Sequence, residues 1–261
     1  MGNIGIVGMG KMGQAIALGM AGKGFDMRAL SRRETCLAGT KQVISYADLA
    51  DCDAVILCVK PKDLADASAG LFKAIQAART HPLVISVAAG KRIAFLENCL
   101  PGERVVRAMP NLAAGVGKAV TCFSVGTLVT SNDIKLAEEI FNCFGSSVRL
   151  DEKSIDAASV LGGSGPAFFF YFAQKLEEAG VKSGLDAVTA GKLARSALVG
   201  AAGMAENSQE ALANLIKKVA TPGGFTLAAL DSLDSSKIGD SIAVAVRLAK
   251  EKCVEIGEEK E

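Results

Sequence analysis

Aromatic residues, histidine and an excess of charge of one sign are scarce or absent in this sequence. The chain of 261 residues has no tryptophan and one histidine, and only 5% of its residues are aromatic. Its 29 Lys and Arg residues are balanced by 28 Asp and Glu residues, so no excess positive charge attracts a polyanion. No basic cluster is interleaved with aromatic residues, the pattern typical of nucleic-acid binding. We therefore expect no nucleic-acid partner.

Clustered metal ligands and paired cysteines are also missing. The seven cysteines are scattered at positions 36, 52, 58, 99, 122, 143 and 253, without a CxxC pair. This spacing favours small core side chains in a reducing compartment over a disulfide framework or a zinc site. The only histidine, His81, precedes Pro82 in a polar linker ahead of a predicted strand, which is a poor position for a catalytic residue. We expect no metal site.

Long apolar runs are absent although half of the residues are hydrophobic and the mean hydropathy is +0.31. No run approaches the roughly 20 residues that a helix needs to cross a bilayer. The sequence thus predicts no membrane span. We expect the surplus apolar surface to face another subunit of a homo-oligomer.

What the sequence does contain is a glycine-rich turn between an apolar run, residues 3–7, and a helical pattern, residues 11–23. In dinucleotide-binding turns the first glycine makes a tight turn, the second lets a diphosphate approach the backbone, and the third packs the helix on the strand. The helix N-terminus then attracts the anion. We interpret the turn as a cofactor site, and a purely structural turn is the alternative. Its residues are Gly8, Met9, Gly10, Lys11, Met12 and Gly13.

The second predicted strand, residues 25–30, ends in Ser31, Arg32 and Arg33. NAD sites usually place an acidic residue near this point for the ribose hydroxyls. Two guanidinium groups match the geometry of a phosphate instead, so the sequence favours NADP(H) over NAD(H). A solvated helix start with Ser31 as its N-cap is the alternative.

Strands and helices alternate up to residue 150, which predicts a doubly wound, mostly parallel sheet of the Rossmann type. We assign residues 1–150 to an NADP(H)-binding domain, with its ligand at the carboxyl edge of the strands. One predicted helix, residues 132–144, begins with Ser131 or Asn132 as its cap. The other predicted strands are 42–45, 53–59, 83–87, 104–109, 120–125 and 148–150, and the remaining helix is 61–78.

From residue 151 the pattern is helical throughout, which predicts an all-helical second domain, residues 151–261. Five consecutive aromatic residues, 168–172, cover every face of a helix and suit burial between helices or between subunits. The glycines of the preceding segment, Gly162 to Pro166, should kink or loosen that helix. The predicted helices are near 152–180, 185–205, 208–218, 224–233 and 236–256.

A second glycine-rich turn, Thr221 to Thr226, lies between two of these helices. Backbone amides at the start of the 224–233 helix form a candidate site for a carboxylate, with the Thr226 hydroxyl as a further donor. A structural turn capped by threonine explains the spacing equally well.

Together these motifs resemble the pyrroline-5-carboxylate reductase family over nearly the whole chain. GMGKMG is shared by most dinucleotide enzymes, whereas GSGPA and TPGGFTLAALDSLD are quite specific to this family. The resemblance implies a cytoplasmic enzyme that reduces 1-pyrroline-5-carboxylate to L-proline with NADPH or NADH, the last step of proline biosynthesis. It is carried by GMGKMG at 8–13, VKP at 59–61, SVAAG at 86–90, RAMPN at 107–111, GSGPAFFFYF at 163–172, GVKSGL at 180–185 and TPGGFTLAALDSLD at 221–234.

The resemblance also implies residue roles and an intertwined homodimer through the C-terminal helices, assembled in many members into a decamer. By this resemblance, Ser31 and Arg32 would bind the 2′-phosphate, and Glu152 would lie near the ring nitrogen of the substrate. Lys218 and Phe225 stand where relatives usually carry Asn and a small residue. Val59, Lys60, Val87, Ala88 and Ala89 border the cofactor, and Val219, Thr221, Gly223, Gly224 and Thr226 form the substrate pocket.

A cyclic imine is basic enough to be protonated without a histidine acid. Alignment and charge complementarity then dominate catalysis, and our hypothesis is that Thr226 donates a hydrogen bond at the ring nitrogen. A 3-hydroxyacid dehydrogenase is an alternative, but its lysine acid/base is replaced here by Phe169, four residues after Gly165. A non-catalytic NADP(H)-binding regulator is a second alternative, disfavoured by the intact 221–226 turn.

Overall fold

The computed structural model describes residues 2–32 and 39–258. Two compact units emerge from the contacts. The first contains the chain up to Ser164 together with the residues from Ala249 onward, and the second is Gly165–Leu248. No helix in the described ranges combines the length and apolar character needed to cross a bilayer.

The first unit is built on a sheet of eight strands among the described residues. The strands are β1 (Asn3–Val7), β2 (Asp26–Leu30), β3 (Thr40–Val43), β4 (Ala54–Leu57), β5 (Leu83–Ser86), β6 (Val105–Met109), β7 (Ala119–Val125) and β8 (Gly145–Arg149). Their order is β3-β2-β1-β4-β5-β6-β7-β8, and only the β6–β7 pair is antiparallel. The first six positions follow the dinucleotide-binding order. The predicted doubly wound, mostly parallel sheet is confirmed.

The helices of the first unit are α1 (Lys11–Met20), α2 (Leu64–Ala78), α3 (Ile93–Cys99), α4 (Ser131–Cys143) and α5 (Glu152–Ala158). The central strands β4 and β5 are buried on both faces of the sheet. Successive side chains of a strand point to opposite faces, so each face contributes to its own core cluster. Ile4 and Ile6 lie in one core cluster with residues of α1 and α4. Val7 and Leu57 lie in the other, with residues of α2 and α3.

Local chemistry corrects two of the predicted boundaries. Helix α4 is capped by Thr130 in a reciprocal capping box with Asp133, so the predicted caps Ser131 and Asn132 are wrong. The predicted strand 42–45 begins earlier, at Thr40, and ends at Val43. Ser45 instead caps a short 3₁₀ turn, which takes it out of the strand.

The remaining helices are α6 (Ser164–Lys182), α7 (Ala187–Glu206), α8 (Leu212–Val219), α9 (Phe225–Ser235) and α10 (Ile238–Glu258). The predicted all-helical region is confirmed, and a wide π-helical turn, Ser159–Gly163, loosens the chain before α6 as expected. The aromatic block of α6 is 39–66% exposed within this chain. The chain's own helices therefore leave much of this block uncovered.

Candidate functional site

The carboxyl ends of four neighbouring strands, β2, β1, β4 and β5, meet at one edge of the sheet. Gly8 N donates to Leu30 O at 2.8 Å, and Cys58 N donates to Val7 O at 2.7 Å. Val87 N reaches Leu57 O at 3.2 Å. Strand order reverses between β1 and β4 at this edge, and open α/β sheets bind ligands at such a point. The sheet therefore brings together the predicted cofactor segments that follow these strands.

Each glycine of the first turn has the geometry that its expected role requires. Gly8 has a φ of +93°, a conformation that favours glycine. A Cβ on Gly13 would collide with the Gly8 carbonyl oxygen, so α1 packs on the turn only because position 13 lacks a side chain. A Cβ on Gly10 would meet nothing within 4 Å. The space above Gly10 is open to a ligand.

Charge at the start of α1 also suits an anion. No side chain caps its N-terminus, and its first turn contains no acidic residue. The amides and the positive end of the helix dipole are thus available to a phosphate. Lys11 is exposed in this first turn, while Met9 is buried and Met12 half-buried. The Gln14 side chain donates to Met9 O at 2.9 Å and braces the turn.

The expected 2′-phosphate group follows β2. The Arg32 side chain is 90% exposed, and its Nη2 lies 3.7 Å from Asp63 Oδ2. Such an exposed ion pair contributes little stability, so the guanidinium can turn to a phosphate at small cost. Ser31 is half-buried. Arg33 lies outside the described residues.

The segments after β4 and β5 complete this edge. Val59 is half-buried and Lys60 exposed, and in the second segment Ala88 is buried between the half-buried Val87 and Ala89. Burial raises the pKa of the neighbouring Cys58 thiol to about 12. The thiol is therefore neutral near pH 7 and brings no negative charge to the predicted cofactor edge.

The second glycine turn lies in the helical unit. Gly223 has a φ of +74°, and a Cβ there would meet nothing within 4 Å. Gly224 N donates to Thr221 O at 3.0 Å, so this amide is used within the turn. Gly224 is also the N-cap of α9 and has no side chain to cap it. The first-turn amides of α9, with the half-buried Thr226, are the donors that remain for a carboxylate.

The two side chains beside this turn are apolar and exposed. Val219, the last residue of α8, is 56% exposed, and Phe225 is 91% exposed. Lys218 forms an ion pair with Glu210, so its ammonium is directed along its own unit. The unusual residues at 218 and 225 therefore occupy the surface on both sides of the Thr221–Gly224 turn.

Sequence reasoning missed the role of Arg107, the only charged residue of β6. Its guanidinium is buried, bonds to Asp156 through Nη2, and lies 3.3 Å from Glu152 Oε1 through Nη1. Glu152 Oε1 also accepts a hydrogen bond from Ile93 N at 2.6 Å. A lone arginine in an otherwise apolar strand was the available signal, because burying it requires acidic partners.

The structure groups the predicted site residues by unit. The described cofactor residues and Glu152 lie in the first unit, and Val219, Thr221, Gly223, Gly224 and Thr226 lie in the second. His81 is exposed, and its Nδ1 lies 3.1 Å from Oε2 of the buried Glu103. It is far along the chain from both glycine turns. Within the described ranges, no group of three or more acidic, histidine or cysteine side chains could hold a metal ion.

Comparisons with known proteins cover both units. Residues 152–256 match the family model described as pyrroline-5-carboxylate reductase dimerisation. Residues 3–90 match the model described as NADP oxidoreductase, coenzyme F420-dependent. The pyrroline-5-carboxylate reductase of Methanosarcina acetivorans is 34% identical, over 97% of this chain and 97% of its own length.

Solved structures show the same similarity. The crystal structure of Plasmodium falciparum pyrroline carboxylate reductase with NADP bound is 27% identical, with a TM-score of 0.86 over 98% of both chains. A pyrroline-5-carboxylate reductase from Coxiella burnetii is 29% identical, with a TM-score of 0.90 over 98% of this chain and 99% of its own. The likeness thus extends over the sheet and the helices alike.

Proposed function

This chain belongs to the pyrroline-5-carboxylate reductase family, and from that we propose that it reduces 1-pyrroline-5-carboxylate to L-proline with NADPH, or with NADH as the less favoured donor. This reaction is the last step of proline biosynthesis. The match to a reductase over 97% of both lengths supports this proposal most strongly. The same chain contains a glycine turn that is open above Gly10 and the Thr221–Thr226 turn at the start of α9.

The proposed cofactor site is the carboxyl edge of the sheet. The amides around Gly10 and at the start of α1 would hold the diphosphate of the cofactor, and Ser31, Arg32 and Arg33 would hold the 2′-phosphate. Support comes from the uncapped helix, the exposed Arg32 and the relative whose structure holds NADP. When bound, NADPH supplies the hydride. The full set is Gly8, Met9, Gly10, Lys11, Met12, Gly13, Ser31, Arg32, Arg33, Val59, Lys60, Val87, Ala88 and Ala89.

The proposed substrate site is the start of α9. First-turn amides of α9 hold the carboxylate, and the positive helix end favours its charge. Thr226 donates a hydrogen bond at the ring nitrogen, where the imine gains its proton. Val219, Thr221, Gly223 and Gly224 shape the pocket. The family resemblance also implies that Glu152 lies near the ring nitrogen, but its contacts with Arg107 and Ile93 support a structural role instead.

For the organisation of the enzyme we propose a cofactor domain, residues 1–150, and a substrate and dimerisation domain, residues 151–261. The chain carries the family's dimerisation region. We propose a homodimer through the C-terminal helices, assembled further into a decamer, in the cytoplasm. The exposed aromatic block of α6 supports an interface on these helices.

The test is loss of NADPH absorbance when pyrroline-5-carboxylate is added to the purified protein, run beside NADH. We expect consumption that depends on the imine and is faster with NADPH at low cofactor concentration. Reduction of NADP by 3-hydroxy acids would support a hydroxyacid dehydrogenase instead. NADPH binding without consumption would support a non-catalytic regulator.

A further inference from the structure

Arg107 is a buried cation that the proposed reaction does not use. Its side chain is 4% exposed and is held between two carboxylates, Glu152 and Asp156. Both carboxylates belong to α5, whereas Arg107 belongs to β6. A guanidinium bonded to two groups of one helix fixes that helix on the sheet and restricts the rotamers of both carboxylates.

The same Glu152 oxygen holds the start of α3. Ile93 is the first residue of that helix, and its N-cap residue, Arg92, makes no side-chain capping bond. Glu152 Oε1 accepts from Ile93 N at 2.6 Å and so replaces the missing cap from 59 residues away. The restraint falls just after the segment Val87–Ala89, which the proposed function gives to the cofactor.

The end of α10 contacts this turn as well. Gly90 has a φ of +76°, and a Cβ built on it would lie 2.5 Å from Gly257 Cα and 2.9 Å from Cys253 O. Cys253 Sγ lies 3.9 Å from Asp156 Oδ1. The cluster around Arg107 therefore reaches the turn after β5 through both α3 and α10.

We propose that Glu152 and Arg107 are positioning residues for the dinucleotide: Glu152 fixes the turn 87–92 by capping α3, and Arg107 acts through Glu152. This inference rests on the proposed function for the identity of the ligand. It assigns Glu152 to cofactor affinity, because its Oε1 is already engaged by a guanidinium and an amide. Neither residue is assigned a proton-transfer step.

The test compares Glu152→Ala with Glu152→Gln in the full-length oligomer. The amide of glutamine keeps an oxygen that can accept from Ile93 N, and alanine does not. We expect Glu152→Ala to raise the Kd for NADPH, measured by fluorescence titration, by about tenfold, equivalent to ~1.4 kcal/mol. Glu152→Gln should restore most of this affinity. The exposed neighbour on α5 provides a matched control, Lys153→Ala, which should not change the Kd.

Arg107→Lys tests the indirect role. We expect it to raise the Kd for NADPH less than Glu152→Ala, and the double variant to bind no more weakly than Glu152→Ala alone, because both changes act on one restraint. Hydrogen exchange at the Ile93 amide should accelerate in Glu152→Ala and remain slow in Glu152→Gln. Additive effects of the two substitutions, or unchanged exchange in Glu152→Ala, would overturn the proposal.

The kinetic parameters separate this role from one at the substrate. Positioning of the cofactor predicts that Glu152→Ala raises KM for NADPH more than KM for pyrroline-5-carboxylate. If Glu152→Gln, which keeps the acceptor, lowers kcat and raises KM for the imine while leaving the Kd for NADPH unchanged, Glu152 acts on the substrate and the inference is wrong. Wild-type protein that binds NADPH without reducing the imine contradicts the proposed reaction alone, since titration and exchange still test the turn.

Discussion

Substitutions at two glycines of the first turn are expected to affect different properties: Gly10→Ala chiefly cofactor binding, and Gly13→Ala chiefly stability. Gly10 has a φ of −71° and a ψ of −170°, which alanine adopts without strain, and its Cβ would meet nothing within 4 Å. Gly10 is the N-cap of α1, where alanine is less favourable than glycine, so we predict that Gly10→Ala costs at most about 1 kcal/mol of unfolding free energy. It should raise the Kd for NADPH by roughly tenfold or more, because the methyl occupies the space of the diphosphate.

Gly13→Ala is the matched control. Its Cβ would collide with the Gly8 carbonyl oxygen. We expect a loss of about 1–3 kcal/mol of stability, which outweighs the ~0.5–1 kcal/mol that alanine gains over glycine within a helix. Urea unfolding measures the change in stability of each variant, and NADPH titration measures its Kd for the cofactor. If Gly10→Ala bound NADPH as the wild type does, the diphosphate would not lie over this turn.

Thr226, in the first turn of α9, is expected to donate at the ring nitrogen. Thr226→Ala should lower kcat/KM for pyrroline-5-carboxylate by more than fivefold, on the order of 1 kcal/mol of transition-state stabilisation. Thr226→Ser keeps the hydroxyl and should retain most of the activity. A loss of twofold or less in the alanine variant would show that the hydroxyl does not act in the reaction.

The role of a residue could be predicted from the sequence where its partners are close to it in the chain, and not where they are far along the chain. The first turn is contiguous, and the geometry of Gly8 and Gly13 agrees with the roles that the motif suggests. Arg107 is different, because its partners are 45 and 49 residues along the chain. Only the fold reveals that a buried strand arginine is neutralised by α5.

At the scale of elements, the cap of α4 offers a stability test. Thr130 Oγ1 donates to Asp133 Oδ2 at 2.6 Å, and the backbone amide of Thr130 donates to the same oxygen at 2.8 Å. Thr130→Ala should cost about 1 kcal/mol of unfolding free energy. Ser131→Ala, at the exposed residue that the sequence suggested as the cap, should cost less than half as much. The reverse ranking in urea unfolding would contradict the capping box.

Two elements show why the pattern alone was insufficient. The seven-residue α3 was not predicted, because its N-terminus is capped by Glu152 from another helix and the segment carries no cap of its own. Strand β7 was predicted, but its antiparallel direction was not, since periodicity reports burial and not direction. The short connection 110–118 was a usable signal, because a parallel crossover usually needs a dozen or more residues.

At helix α5, the boundary in the sequence pattern differs from the boundary between the two compact units. The change from alternating strands and helices to helices alone occurs at residue 151, which is where the sequence pattern places a boundary. The contacts nevertheless group the chain up to Ser164, including α5, with the sheet, and Glu152 and Asp156 of α5 bind Arg107 of β6. Secondary structure and packing therefore change at different points of the chain.

At the scale of the whole molecule, the aromatic block of α6 predicts assembly. Phe169 and Phe170 are 65% and 66% exposed in the single chain, and burying such a side chain is worth roughly 1.5–3 kcal/mol. We expect Phe169→Lys to shift the protein toward monomer in sedimentation velocity. The matched control Gln174→Lys, an exposed polar position on the same helix, should leave the distribution unchanged. A wild-type distribution in Phe169→Lys would place the interface elsewhere.

Hydride transfer from NADPH to a cyclic imino acid is the reaction that we assign to this chain. The most direct measurement is the rate of NADPH consumption by the purified wild-type protein with pyrroline-5-carboxylate, together with the amount of L-proline formed. We predict one L-proline for each NADPH consumed, and no consumption without the imine. NADPH that binds but is not consumed when the imine is present would contradict it.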